Sequence, residues 1–411
     1  MDRVPNPNDL HDEQIVALLR SGAHAALLSA YFGDLAYREL SHLAKLAAIR
    51  YDHRGPLVYI LPGIMGSRLG SRQHDSAGLV WLQPAAIAEG ALTQLTLPTT
   101  RPLQAVGIML PGYLKLKLQL EIAGFQPVFY PFDWRGDLDQ LGRAFMQTIE
   151  RSGARSVSVV AHSMGGLVAC MALAYDKHRQ IEKLIQLGAP NSGSFAPVQA
   201  MRAVYPTVRK IAALDSHHSA EELAQSVFRT LPGLYQMLPA PFFDAGAWPN
   251  DGFAPDPKLL AQARKLRERQ PKADERCFLI AGANQETIVA ATRSDSQFEY
   301  TLRREGDGTV PLALAQWPGA RTWYIDENHG ALTNNNAVLA AIDDLLKVGH
   351  TRRLADQPPP ANPQTVRQID DTTLRAEAAQ KVRWESLSLD TRRRILEPVI
   401  SPEFLSATPA A

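Results

Sequence analysis

Cysteine is scarce: only Cys170 and Cys277 occur in 411 residues. Both stand in apolar runs, which leaves no basis for a disulfide framework or a cysteine metal cluster and leads us to expect buried thiols in a reducing compartment. An excess of one charge is missing as well. The balance of 43 Lys and Arg against 42 Asp and Glu argues against a general nucleic-acid binder. No apolar run reads as a membrane span, because the most apolar window, around Ser163, is interrupted by histidine, serine and glycine. The opening MDRVPNPNDLHDEQ lacks a basic-then-apolar leader. A cytoplasmic protein is expected, with any membrane contact peripheral. No motif calls for a cofactor or a metal.

What is present is organised around Ser156 to Tyr175, SVSVVAHSMGGLVACMALAY. Val157 to Ala161 read as a buried strand and Leu167 to Tyr175 as an apolar helix, with Ser163 at the sharp turn between them. Such a turn lifts a hydroxyl clear of the backbone and leaves the following amide, that of Met164, at a helix N-terminus. It also demands small residues two before and two after the serine, here Ala161 and Gly165. Alone, A-x-S-x-G is a moderate signal, since a polar turn after a buried strand also produces it.

Around this unit, apolar strands alternate with helical periods: Leu57 to Leu61, Ile181 to Leu187, Cys277 to Ala281 and Thr322 to Ile325 read as strands, and Pro127 to Arg135 as a strand leading into a polar turn. Helices are expected at Tyr113 to Phe125, from Leu138 to Ile149, and from Ala331 to Leu346. This alternation predicts an α/β fold with a mostly parallel sheet flanked by helices. We divide the chain into an N-terminal helical extension (1–50), a catalytic domain (51–350) and a Pro-rich linker with a C-terminal tail (351–411). In residues 195–272 the alternation stops, and exposed-looking apolar residues such as Leu231, Leu234, Phe242 and Phe243 suggest a helical cap over a cleft. The terminal extensions offer a surface for a protein partner, and the N-terminal one either packs on the core or presents an apolar face to a partner or bilayer; packing is the expectation.

A nucleophilic serine needs a base, and the base needs a carboxylate to fix its tautomer. His329 follows a late strand, and Asp307 lies in the glycine-flanked turn EGDGTVP, giving the chain order Ser, Asp, His expected of an α/β-hydrolase. Asp326 is the main rival for the acid and Asp133 a distant third. His162 is expected to be structural. The glycine-rich PGIMGS after the first strand suits an oxyanion hole, or simply a βα loop.

Seven ordered motifs, VYILPGIMGSRL, VWLQP, YPFDWR, AHSMGG, LGAPNSGS, GDGTVP and the late His329, resemble the lecithin:cholesterol acyltransferase family of α/β-hydrolases across residues 57–332. The resemblance implies a serine lipase, phospholipase or acyltransferase working on acyl lipids through an acyl-enzyme. It implies Ser163 as nucleophile, Asp307 as acid and His329 as base. It further implies the amides of Ile64 and Met164 as oxyanion hole, Trp81 in the region touching the acyl chain, and Asp133 with Arg135 as a structural pair. The well-known animal members are secreted and disulfide-bonded, unlike the expectation for this chain. Two other readings remain open at this point: a non-lipid esterase or thioesterase, and a silent hydrolase fold that recruits partners.

Overall fold

Along Leu57–Leu61 (β1) the side chains alternate between two destinations. Val58 and Ile60 join one apolar cluster, while Tyr59 and Leu61 join another on the opposite face. A strand apolar on both faces needs cover on both, and helices supply it. The structure, a computed structural model, describes residues 10–50, 54–71, 78–99, 102–360 and 366–376.

Strands β2 (Ser67–Gly70), β3 (Leu79–Trp81) and β4 (Gln104–Ile108) form a small antiparallel sheet. The chain continues through β5 (Gln126–Phe129), β6 (Val157–His162), β7 (Ile181–Leu187), β8 (Cys277–Ala283), β9 (Thr287–Arg293), β10 (Phe298–Arg303), β11 (Arg321–Asp326) and β12 (Arg367–Asp370). The central sheet has the order β11-β8-β7-β6-β1-β5, with every pairing parallel. Helices Leu138–Arg151 and Met164–Leu173 cover one face; Leu110–Ile122 and Asn336–Val348 cover the other. From β1 the chain moves outward to β5 and then crosses back to β6. The order therefore reverses between β1 and β6, and the crevice beyond their carboxyl ends is where an open α/β sheet places a ligand.

The described part of the N-terminal extension packs on the core. Ile15, Leu19, Leu28 and Phe32 are buried with helix Leu110–Ile122, and Lys117 and Lys115 pair with Asp12 and Glu39 at 2.5 and 2.6 Å. Between β7 and β8 the chain forms helices Ala196–Met201, Pro206–Leu214, Ala220–Ser226, Pro232–Gln236 and Pro257–Glu268. Leu231, Leu234, Phe242 and Phe243, exposed-looking in sequence, are buried here, because the insertion folds down onto the helix that follows Ser163. A Cβ on Gly233 would stand 2.7 Å from Met164 Cε. Among the described residues no helix is long and apolar enough to cross a membrane.

The strand that opens 127–135 ends at Phe129 and gives way to the expected turn: the Tyr130 amide still bonds Ile60, but Pro131 has no N–H to continue the ladder. Two expectations need correction. The helix expected from Ala331 begins at Asn336, because the Asn335 side chain caps the amides of Ala337 and Val338 at 2.8 and 3.2 Å. The β9–β10 hairpin was not anticipated. Nor is all of 351–411 a linker and tail: β12 pairs with β10, and helix Asp371–Ala376 follows. Asp371 there is fully buried against Arg202 of the insertion, at 2.5 Å. Residues 1–9, 361–365 and 377–411 of the expected extensions lie outside the described residues.

Candidate active site

Strand β6 delivers the chain to Ser163, whose backbone takes φ 53° and ψ −125° before helix Met164–Leu173 begins. A non-glycine residue in that region is strained and persists only where its surroundings over-determine it. Here they do: the Ser163 amide donates to Leu187 at 2.9 Å, and the Gly166 amide donates to the Ser163 carbonyl at 2.9 Å. Gly165 has no room for a side chain, since a Cβ would lie 2.4 Å from the Pro62 carbonyl oxygen. The demand for small flanking residues is thus a demand of the neighbouring β1 loop.

His329 stands in a short 3₁₀ turn after β11. Its Nε2 is 2.9 Å from Ser163 Oγ, and its Nδ1 is 2.7 Å from Asp307 Oδ2. A carboxylate only accepts, so Nδ1 carries the proton, and in the neutral ring Nε2 is free to accept from the serine hydroxyl. The other Asp307 oxygen accepts from the amides of Thr309 and Val310 at 2.9 and 2.7 Å, and the His329 amide donates to the Asp307 carbonyl at 2.7 Å. Ser163, Asp307 and His329 are 6, 2 and 3% exposed, so charge developing among them is poorly screened by water.

Across from this row lies the loop after β1. A Cβ on Gly63 would be 3.0 Å from Ser163 Cβ, so the loop passes directly over Ser163. Three bonds fix it: the Gly63 amide to Tyr113 Oη at 2.8 Å, the Gly66 amide to the Gly63 carbonyl at 3.1 Å, and Trp81 Nε1 to the Met65 carbonyl at 2.8 Å. The Ile64 peptide lies between these anchors, and Met164 is the first residue of the elbow helix. Among the described residues neither amide is taken by a backbone acceptor. Trp81, expected beside an acyl chain, is fully buried: its ring meets Trp134 edge-on at 5.3 Å and its N–H holds the loop, so it stands behind the site's wall.

The strand order, the strained serine after β6 and the histidine after the last sheet strand leave one architecture. The fold is an α/β-hydrolase fold. Residues 142–236, spanning the elbow and part of the insertion, match a family model described as a PGAP1-like alpha/beta domain. No curated protein matches the chain. Among solved structures, Bacillus licheniformis lipase BlEst2 in propeptide form is similar at 15% identity and TM-score 0.41, over 76% of this chain and 54% of that one. This chain therefore spans about half the length of that form. The Tle4–Tli4 complex gives 13% identity and TM-score 0.43, over 73 and 100%. A hydrolase from Pseudomonas aeruginosa gives 14% and 0.34, over 72 and 92%.

Within this fold the rival acids are engaged elsewhere. Asp326 meets Gln285 and Asn284 at 2.5 and 3.4 Å. Asp133 grips buried Arg135 through both oxygens at 2.8 and 2.7 Å, and Arg135 also reaches the Leu95 carbonyl. His162 points away from the Ser163 hydroxyl: its Nδ1 meets Tyr113 Oη and its Nε2 meets the His329 carbonyl, each at 3.0 Å. Burial, reinforced by the neighbouring His329 ring, pushes its pKa down to about 3. Tyr113 drew no attention in sequence, where it reads as one more apolar position on a helix. Among the described residues no three His, Cys, Asp or Glu side chains gather as a metal site. An open groove of about 860 Å³ borders the Asp307 turn through Glu305 and Pro311, and its walls do not include Ser163, Ile64 or His329.

Proposed function

We propose that this chain is a serine hydrolase acting on acyl esters of lipids, phospholipids foremost, through an acyl-enzyme passed to water or an alcohol. The observation that carries the reading is the continuous row Ser163 Oγ, His329 Nε2, His329 Nδ1, Asp307 Oδ2, with contacts of 2.9 and 2.7 Å. In the first half-reaction His329 takes the hydroxyl proton as Ser163 Oγ attacks the ester carbonyl. Asp307 holds the Nδ1–H tautomer and stabilises the imidazolium. The amides of Ile64 and Met164 receive the oxyanion, and His329 then protonates the departing alcohol. Water or an acceptor alcohol, deprotonated by the same Nε2, releases the acyl group. Lipid preference rests on the motif resemblance and on the apolar insertion that closes over the elbow.

A fluorophosphonate probe with hydrolysis of phosphatidylcholine vesicles tests the reading. We expect wild type to be labelled and active. Ser163→Ala should lose the label and roughly 10⁵ to 10⁶ in kcat, as loss of a triad nucleophile does, while melting as wild type does. Faster turnover of short soluble esters than of phospholipid rejects the lipid substrate; a folded wild type with neither label nor turnover rejects the serine mechanism.

A further inference from the structure

Behind the row of Ser163, His329 and Asp307 runs a second chain of hydrogen bonds that the acyl-transfer steps leave unused. The Gly63 amide donates to Tyr113 Oη at 2.8 Å, Tyr113 Oη and His162 Nδ1 stand 3.0 Å apart, and His162 Nε2 stands 3.0 Å from the His329 carbonyl oxygen. Chemistry fixes every direction. A carbonyl oxygen can only accept, so the proton of His162 sits on Nε2. Desolvation keeps the ring neutral, which leaves Nδ1 a bare acceptor for the tyrosine proton. The tyrosine oxygen then accepts from Gly63.

The ends of this chain matter more than its middle. One end is the peptide next to Ile64, the candidate oxyanion donor; the other is the backbone of the base itself. Mere mutual satisfaction of a buried tyrosine and histidine would not require both ends to be main-chain groups of the two loops that flank the nucleophile. Packing tightens the arrangement: a Cβ on Gly63 would sit 3.2 Å from His162 Nδ1, and the His162 and His329 rings lie 4.8 Å apart.

We propose that Tyr113 and His162 are positioning residues that hold the oxyanion loop and the catalytic base in mutual register. The inference rests on the serine-hydrolase reading of the site. A displacement of about 1 Å in such a site costs on the order of 10²-fold in rate, so a relay that prevents it acts on kcat and leaves ground-state binding alone.

The test uses the full chain, with p-nitrophenyl octanoate as substrate and thermal melting as the fold control. His162→Gln keeps a donor where Nε2 stands and loses the acceptor; His162→Asn keeps an acceptor where Nδ1 stands and loses the donor. Tyr113→Phe removes one oxygen. We expect each to lower kcat by about 10- to 100-fold with KM within about twofold of wild type, and the Tyr113→Phe/His162→Asn double variant to be no slower than the worse single, because a relay is broken once. Folded single variants with wild-type kcat, or losses that multiply in the double variant, overturn the relay while an active wild type upholds the serine mechanism. A wild type that takes no fluorophosphonate and hydrolyses no ester overturns both. Should the variants not fold, the ¹⁵N spectrum of the wild-type histidines decides: a neutral Nε2–H tautomer for His162 at pH 7 supports the relay, and an Nδ1–H tautomer overturns it.

Discussion

The elbow and the C-terminal clasp each bury a polar network, one neutral and one ionic. Behind the elbow, Gly63, Tyr113, His162 and the His329 carbonyl share no formal charge. At the clasp, the fully buried guanidinium of Arg202 meets Asp371 at 2.5 and 2.7 Å and Asp251 at 2.6 Å, and lies over the Phe298 ring at 5.0 Å. Asp371 also accepts from Tyr300 Oη and the Phe298 amide at 2.8 and 2.9 Å. Residues from the insertion, the β9–β10 hairpin and the segment after β12 meet there. A charge stranded in an apolar interior is far costlier than a stranded hydroxyl. The ionic network therefore enforces which segments assemble, and the neutral one refines where atoms stand once they have.

The largest effect that could break this contrast is on stability at the clasp. Asp371→Ala leaves Arg202 short of a partner and should cost about 3–5 kcal/mol, read from urea unfolding midpoints. Replacing both partners, Arg202→Met with Asp371→Leu, should recover the part of that loss due to the stranded guanidinium, while Asp251, Tyr300 Oη and the Phe298 amide still each lose a partner. Tyr113→Phe should cost about 1–3 kcal/mol through groups left unpaired while losing more in kcat. If Tyr113→Phe is as destabilising as Asp371→Ala, the division between assembly and alignment fails.

The row Ser163, His329, Asp307 and the two networks differ in how far they could be read from sequence. Ser163, Asp307 and His329 each carry a local signal: small flanking residues, a glycine-bracketed turn, a preceding strand. These signals lie within a few residues of each side chain, even where the demand behind one comes from afar, as the closeness of Gly165 to Pro62 shows. Tyr113 lies 49 residues from His162 and Asp371 lies 169 from Arg202, and at such separations no local pattern announces a partner. Strand β12 is four residues in a charged stretch after a run of prolines, too short for its alternation to register. The small sheet β3-β2-β4 is likewise built from strands of only three to five residues. The family resemblance puts Trp81 beside an acyl chain, but the sequence does not say which way the ring faces.

A smaller effect is expected at Trp81, on the wall behind the loop of Gly63, Ile64 and Met65. Trp81→Phe keeps an aromatic ring against Trp134 but leaves the buried Met65 carbonyl without its donor, a loss of about 1–3 kcal/mol. Because the same bond pins the loop next to Ile64, turnover of the ester should fall as well, with KM little changed. Full activity in a destabilised Trp81→Phe would assign the indole to stability alone and confine alignment of the loop to the Tyr113 side.

The smallest effect separates the networks by pH. His162 keeps a pKa near 3 in the folded chain, against an ordinary 6.5, chiefly because burial disfavours the imidazolium and secondarily because the His329 ring stands beside it. Below pH 6.5 the unfolded chain binds a proton here that the folded chain refuses. The stabilisation is therefore complete above pH 6.5 and is lost progressively as pH falls toward 3. Between pH 6 and 5 the loss should be about 1 kcal/mol. His162→Gln, which has nothing to titrate, should unfold with a correspondingly shallower acid slope in urea melts taken at those two values, whereas Arg202→Met with Asp371→Leu should keep the histidine's slope. Equal slopes for wild type and His162→Gln would mean that the buried imidazole accepts its proton without disturbing the fold, and the chain of donors from Gly63 to His329 would then lose its fixed direction.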